Sequence, residues 1–166
     1  FVTGPFGLTG AGLAILLGKQ RAQDSFAKKA TSAVLQPKPR LEFGVKSKKL
    51  LTSAMDSSDG LSTTLAEMSR QSKSKFVIDH IPATNQVQQF CQKYKKDFDS
   101  VVFHTGEEYE FVFTIPKKHL SQIVKIANST KTPIIQIGTV EKGKGVFVQK
   151  NEKLVKLQDK GYRHFR

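Results

Sequence analysis

The densest group of oxygen-bearing side chains lies at residues 56–60, where the sequence reads D-S-S-D-G. The carboxylates of Asp56 and Asp59, with the hydroxyl of Ser58 between them, could offer several hard oxygen ligands from one turn. Mg²⁺ favours oxygen ligands, keeps several waters and usually bridges carboxylates to the phosphates of a substrate. Because a helix is predicted directly after the turn, its free backbone N–H groups could also hold a phosphate oxygen.

A structural role for the same turn stays open. Ser58 or Asp59 could cap the following helix, and Asp56 could close an Asx-type turn. Spacing alone favours this capping interpretation, because aspartates and serines are common before helices.

A second acidic group, G-E-E-Y-E at residues 106–110, directly precedes an apolar strand signal. Strand alternation would place Glu108 and Glu110 on one face and Glu107 and Tyr109 on the other. We therefore expect at least one carboxylate to point into a cleft, where it could bind a cation. Ordinary solubility of an edge strand would explain the cluster equally well.

Other chemistry-bearing residues lack a catalytic pattern. The histidines show no metal-ligand spacing and no triad, and the lone Cys91 lies among apolar neighbours, which predicts a buried, reduced thiol in a cytoplasmic protein. The longest apolar stretch, at residues 8–17, is shorter than the roughly 20 residues that cross a bilayer. We therefore predict no membrane span and, in the absence of a signal-peptide pattern, no secretion signal.

The charge balance is strongly basic, with 27 Lys and Arg against 14 Asp and Glu, a net charge of +13. A field of that sign attracts phosphate-bearing molecules. The basic residues form separate clusters, without a zinc pattern, a basic zipper or an RNP signature, so a nucleic-acid partner is not expected. A basic, non-catalytic nucleic-acid-binding module stays an alternative, and it predicts strongly salt-dependent binding.

Hydrophobic periodicity places these residues on a mixed architecture. Helices are predicted around residues 13–17, 25–36, 61–68, 87–94 and 116–127, and strands around residues 51–55, 76–78, 109–115, 134–140, 146–148 and 154–157. Residues 134–140 and 146–148 flank a glycine-containing loop and predict a hairpin. The fold class is α+β, with a mixed, mostly antiparallel sheet covered by helices.

Taken in order, these segments resemble the C-terminal half of thiamine-monophosphate kinase, a family of the aminoimidazole-ribonucleotide-synthetase-like superfamily. The resemblance rests on P-x-P-R at 37–40, A-M-D-S-S-D-G-L at 54–61, G-E-E-Y-E-F at 106–111, I-G at 137–138 and G-Y-R-H-F at 161–165. The D-x-S-D-G-L string is the most diagnostic. The chain departs from the family at Glu108, where Asp is usual, and at Thr105, where Gly is more usual.

The resemblance implies an ATP- and Mg²⁺-dependent kinase that transfers the γ-phosphate of ATP onto thiamine monophosphate, giving thiamine diphosphate. It implies that Asp56 and Asp59 are Mg²⁺ ligands and that Ser58 contacts the ATP phosphates. Glu107 would lie at the phosphate of the substrate, and Tyr162 would pack on or near its ring. Since the acceptor is an ionised phosphate, no residue is predicted to act as a strong catalytic base.

The resemblance also implies a division of labour between two domains. Residues 1–166 would form a single C-terminal domain that completes the substrate and metal site, while the family's N-terminal ATP-binding domain is absent from these residues. We expect the chain alone to be inactive, and the full-length parent to be a homodimer through its N-terminal half. Another superfamily member that acts on a different phosphorylated small molecule is the alternative enzyme.

Overall fold

The computed structural model describes residues 1–18 and 24–162. A short π-helical segment at Ser100–His104 and a 3-10 turn at Lys117–His119 accompany the regular elements. The helices and strands follow one another as α1 (Leu8–Leu16), α2 (Ser25–Leu35), α3 (Leu41–Ser47), β1 (Ser53–Asp56), α4 (Leu61–Ser72), β2 (Ser74–Ile78), α5 (Asn85–Lys93), β3 (Phe111–Thr114), α6 (Leu120–Ser129), β4 (Gly138–Lys142), β5 (Gly145–Lys150) and β6 (Lys153–Lys156). The α+β class predicted from the sequence is confirmed.

The ends of helix α2 follow from local chemistry, whereas helix α3 was missed. The side chain of Asp24 accepts a hydrogen bond from the backbone N–H of Ala27 at 2.8 Å, and α2 ends just before Pro37, as predicted. The sequence also predicts an extended segment at residues 37–41, but α3 begins at Leu41. Proline restricts the residue before it, not those after it, so a helix can follow once Phe43 has a core to enter.

The strands of the described residues form two sheets, and the predicted hairpin is wrong. Strands β1 and β3 form an antiparallel pair, and the other sheet has the order β4-β2-β5-β6. Strand β2 lies between β4 and β5, antiparallel to the first and parallel to the second. Because the apolar residues of β2 are buried, this strand takes a neighbour on each side, and no short-range signal reveals that insertion. The strand predicted around residues 154–157 is β6, which pairs antiparallel with β5 at the edge of this sheet.

In the part of the chain that the structure describes, two apolar clusters make the core. The larger lies under α1, α4 and α5 and the four-stranded sheet, and the smaller surrounds Phe43 and Phe113. Helix α1 does not enter the core through its leucines, because Leu13 and Leu16 are 42% and 44% exposed. Its small residues face α2 instead, where a Cβ added to Gly12 would lie 2.2 Å from the carbonyl oxygen of Ala30. Within residues 1–18 and 24–162, no helix has the length and apolar character needed to cross a bilayer.

Candidate active site

The D-S-S-D-G turn connects strand β1 to helix α4. Asp56 is the last residue of β1, and Gly60, with φ 108°, directly precedes the helix. The side chains of Asp56 and Asp59 are exposed and Ser58 is half-buried. No side chain of the described residues caps α4, so the capping interpretation of Ser58 and Asp59 is wrong.

Main-chain hydrogen bonds join this turn to the second acidic segment. The β1–β3 ladder ends with Asp56 opposite Phe111. Beyond it, the N–H of Tyr109 donates to the carbonyl oxygen of Ser57 at 3.0 Å, and the N–H of Glu107 donates to that of Ser58 at 2.7 Å. The two motifs that the sequence singled out, about 50 residues apart, therefore form one continuous surface.

The closeness of this junction depends on a glycine. A Cβ added to Gly106 would lie 2.3 Å from the carbonyl oxygen of Ser58, nearer than any real Cβ contact. Residue 106 must therefore lack a side chain for the two acidic segments to approach.

The second acidic segment divides its side chains between two sides, as alternation predicts, although β3 begins only at Phe111. Glu107 is exposed. Glu108 accepts hydrogen bonds from backbone N–H groups at the start of α1, and Glu110 is buried. Of the three glutamates, Glu107 alone is exposed to solution.

The chain after β6 brings Tyr162 to the same place. The N–H of Tyr162 donates to the carbonyl oxygen of Asp59 at 3.0 Å, and Asp159 accepts from the hydroxyl of Thr63 at 2.7 Å. The side chain of Tyr162 is 60% exposed beside the turn. The rest of the predicted G-Y-R-H-F match, residues 163–165, lies outside the described residues. All five predicted site residues thus meet at one edge of the fold.

Three exposed carboxylates, those of Asp56, Asp59 and Glu107, lie at this edge of a protein whose net charge is +13. The pKa of the Tyr109 phenol is raised, chiefly by its hydrogen bond to Glu107 and by the charge of that carboxylate, with burial, Asp56 and Asp59 adding to the effect. The carboxylates of Glu107, Asp56 and Asp59 therefore act on the same phenol, which places them near one another.

The donor set at this edge fits Mg²⁺ that is shared with a substrate. Asp56 and Asp59 supply hard oxygen donors, and neither forms an ion pair with another of the described residues. Among those residues, no three His, Cys, Asp or Glu side chains are grouped so as to hold a metal ion. Mg²⁺ is commonly bound through one or two carboxylates, with waters and substrate phosphates completing its shell.

One set of residues beside the site was not found from the sequence. Arg40 binds the carboxylate of Glu110 through two nitrogens, at 2.8 and 2.6 Å, and the hydroxyl of Thr3 donates to the same carboxylate at 2.7 Å. The P-x-P-R element contains this arginine, but nothing in its spacing indicates a partner so distant in the chain.

The strand-turn-helix with its acidic edge defines an α+β domain of a known class. The chain matches the family described as "AIR synthase related protein, C-terminal domain" over residues 1–151, and it belongs to that family.

Its curated relatives are more specific. The chain is 57% identical, over its whole length, to the thiamine-monophosphate kinase of Nitrosopumilus maritimus, covering 53% of that protein. It is 30% identical over 99% of its length to the thiamine-monophosphate kinase of Aquifex aeolicus, covering 51% of it. The chain thus spans about half the length of the curated relatives it matches. The resemblance to thiamine-monophosphate kinase noted in the sequence is confirmed.

The fold of this chain is also similar to solved structures. The structure of AaThiL complexed with AMPPCP and TMP superimposes with a TM-score of 0.80 at 30% identity, over 99% of this chain and 50% of that one. Escherichia coli HypE superimposes with a TM-score of 0.64 at 17% identity, over 95% of this chain and 48% of that one, which is a likeness of fold alone.

Proposed function

We propose that this domain supplies one half of the active site of an ATP- and Mg²⁺-dependent kinase that converts thiamine monophosphate to thiamine diphosphate. The observation that carries the proposal is the junction of the two acidic segments, because it gathers the predicted ligands and substrate residues at one exposed edge. The thiamine-monophosphate kinases among its relatives, and the neighbour solved with AMPPCP and TMP, support the choice of substrates.

In this proposal each side chain at the edge has a separate role. Asp56 and Asp59 would hold Mg²⁺, which when bound supplies positive charge between two mutually repelling phosphates. Ser58 would donate its hydroxyl to an ATP phosphate. Glu107 would lie at the phosphate of thiamine monophosphate, and Tyr162 would pack against the ring of that substrate.

In this reaction the main role of these residues is to position the two substrates. The acceptor oxygen belongs to a phosphate that is already ionised at neutral pH, so no side chain has to remove a proton from it. Phosphoryl transfer depends largely on alignment and charge stabilisation, and both are tasks for fixed oxygen donors on a rigid turn.

The proposed active site also needs a second domain. Curated relatives are about twice as long as this chain, and residues 1–166 would be a single domain that completes a site whose ATP-binding part lies in an N-terminal domain. We therefore propose that the chain alone does not catalyse the reaction, and that the two-domain protein is a cytoplasmic homodimer.

The test is thiamine diphosphate formation from ATP and thiamine monophosphate by a protein that contains both halves. Asp56→Asn and Asp59→Asn are each expected to lower kcat/KM at least about a hundredfold, the scale of losing one stabilising group in a transition state. Each should also raise the Mg²⁺ concentration needed for half-maximal rate.

The matched control is Asp79→Asn, an exposed aspartate beyond β2, which should leave both quantities unchanged. Unchanged turnover in Asp56→Asn would refute the metal role. Inactivity of the parent on thiamine monophosphate, with activity on another phosphorylated acceptor, would refute the substrate.

A further inference from the structure

The backbone of residues 106–110 adopts unfavourable φ angles at two positions. Glu107 and Tyr109 have φ of 69° and 51°, in the left-handed region that residues with a Cβ rarely adopt. Such conformations persist only where the surroundings fix them, and they cluster at functional sites. Something other than local preference must therefore hold this segment.

The first restraint acts on Glu110. Its carboxylate is nearly buried and accepts hydrogen bonds from the hydroxyl of Thr3 at 2.7 Å and from Nε and Nη2 of Arg40 at 2.8 and 2.6 Å. The backbone at Gly4 is so near that an added Cβ would lie 2.4 Å from one carboxylate oxygen. A bidentate arginine pair fixes orientation as well as distance, so Glu110 cannot rotate toward the outer side.

The second restraint acts on Glu108. One of its carboxylate oxygens accepts from the backbone N–H of Gly7 at 2.6 Å and from that of Thr9 at 3.3 Å, at the start of helix α1. The hydroxyl of Thr9 in turn donates to the carbonyl oxygen of Gly106 at 2.9 Å. The start of α1 is therefore hydrogen-bonded to the segment at Gly106 and at Glu108, the two neighbours of Glu107.

We propose that Glu108 and Glu110 are positioning residues: their inward hydrogen bonds to the chain around residues 3–9 and to Arg40 hold Glu107 outward beside the 56–60 turn. The proposal rests on the substrate-binding role of Glu107 proposed above. Neither inward carboxylate touches a ligand in this arrangement. Each acts through the backbone that carries Glu107 and Tyr109.

The burial of Glu108 supports a role beyond packing. Burial raises the pKa of its carboxyl to about 7, although the backbone N–H groups of Gly7 and Thr9 oppose the shift. An apolar side chain would fill the same volume without this desolvation. What a carboxyl adds is a directional acceptor for two helix N–H groups that would otherwise lack an intrahelical partner.

The first experiment measures amide hydrogen exchange in this chain. In Glu108→Leu the exchange of the Glu107 and Tyr109 amides should accelerate at least about tenfold, because their local opening becomes easier. Glu108→Gln keeps an acceptor oxygen at the same reach and should restore exchange toward the parent rate. Glu141→Gln, which removes the charge from an exposed pair with Lys75, is the matched control and should change neither amide.

If Glu108→Leu does not fold, Arg40→Lys provides the same measurement, since lysine keeps the charge and loses the two-pronged geometry. Faster exchange at Tyr109 in that variant supports the proposal. Unchanged exchange of both amides in whichever variant folds overturns it.

The second experiment separates positioning from the proposed function. In a protein that contains both halves, Glu108→Leu should raise KM for thiamine monophosphate about tenfold with kcat changed much less, and Glu108→Gln should recover most of the loss. A parent that does not use thiamine monophosphate defeats the proposed function, while the exchange data still decide the positioning role. An active parent whose KM is unaffected by Glu108→Leu overturns the positioning role alone.

Discussion

The N–H of Glu107 donates to the carbonyl oxygen of Ser58 across 2.7 Å, so the two acidic segments are joined through their main chains. This leaves the carboxylates of Asp56, Asp59 and Glu107 exposed on one edge rather than consumed in holding the fold together. Among the described residues, none of these three carboxylates forms an ion pair. The junction therefore gathers three exposed carboxylates on one edge of the fold.

Gly106 makes this junction possible, and replacing it should open it. In Gly106→Ala the new Cβ would lie 2.3 Å from the carbonyl oxygen of Ser58, so the two segments must separate. We expect the free energy of unfolding to fall by about 2 kcal/mol, in the range of mutations that force local strain. Urea denaturation followed by circular dichroism measures the change.

The matched control for Gly106→Ala is Gly44→Ala in helix α3. There the nearest heavy atom to an added Cβ is the ring of Phe111 at 3.8 Å, an ordinary contact. Alanine is the better helix former by about 0.5–1 kcal/mol, so this variant should be slightly more stable than the parent. Equal stability of Gly106→Ala and the parent would contradict the close approach.

Arg40 should be a strong contributor to stability because its partner is buried. The side chains of Arg40 and Glu110 are 23% and 11% exposed. Arg40→Met leaves a buried carboxylate without its cation, and we expect a loss of about 3–5 kcal/mol, measured by urea denaturation.

The matched control for Arg40→Met is Lys46→Met, which breaks the exposed pair with Glu42 on helix α3. Exposed pairs contribute about 0–1 kcal/mol, so this variant should resemble the parent. Similar small losses in both variants would show that Glu110 keeps its solvation or its other partners when Arg40 is lost.

The parts of the site that could be predicted from the sequence depend on residues that are close together in the chain. The D-S-S-D-G turn follows an apolar strand signal and precedes an amphipathic helix, so its place between β1 and α4 could be predicted. Alternation within residues 107–110 also separated the outward glutamate from the inward ones.

What the sequence did not reveal depends on distant partners. The turn meets residues 106–110 and Tyr162 through backbone atoms, which every residue possesses and which leave no compositional trace. The insertion of β2 between β4 and β5 is likewise a matter of pairing, and each strand alone fits several arrangements. Arg40 lies 70 positions from Glu110, so only the folded chain shows that they are partners.

Glu108 should make stability depend on pH. Burial raises the pKa of its carboxyl from 4.5 to about 7, so the folded chain holds this proton more tightly than the unfolded chain does. The contribution to stability is then full below about pH 4.5 and is lost as the pH rises through about 7, a change of about 3 kcal/mol.

The measurement for Glu108 is the free energy of unfolding of the parent and of Glu108→Gln from pH 4 to pH 8. The difference between the two curves isolates Glu108 from every other group that titrates in this pH range. The parent should lose stability relative to the variant as the pH rises. Parallel curves would show that the Glu108 carboxyl titrates alike in the folded and unfolded chains.

Gly161 should decide whether Tyr162 reaches the site. A Cβ at residue 161 would lie 2.0 Å from the hydroxyl of Thr63 and 2.3 Å from the carbonyl oxygen of Asp59, so Gly161→Ala should detach the segment that carries Tyr162. The amide of Tyr162 should then exchange at least about tenfold faster, because its hydrogen bond to Asp59 is lost. Adding Thr63→Ala removes only the clash with the Thr63 hydroxyl, so the amide of Tyr162 should still exchange fast in the double variant. If the amide of Tyr162 is as well protected in Gly161→Ala as in the parent, the segment docks without this close approach.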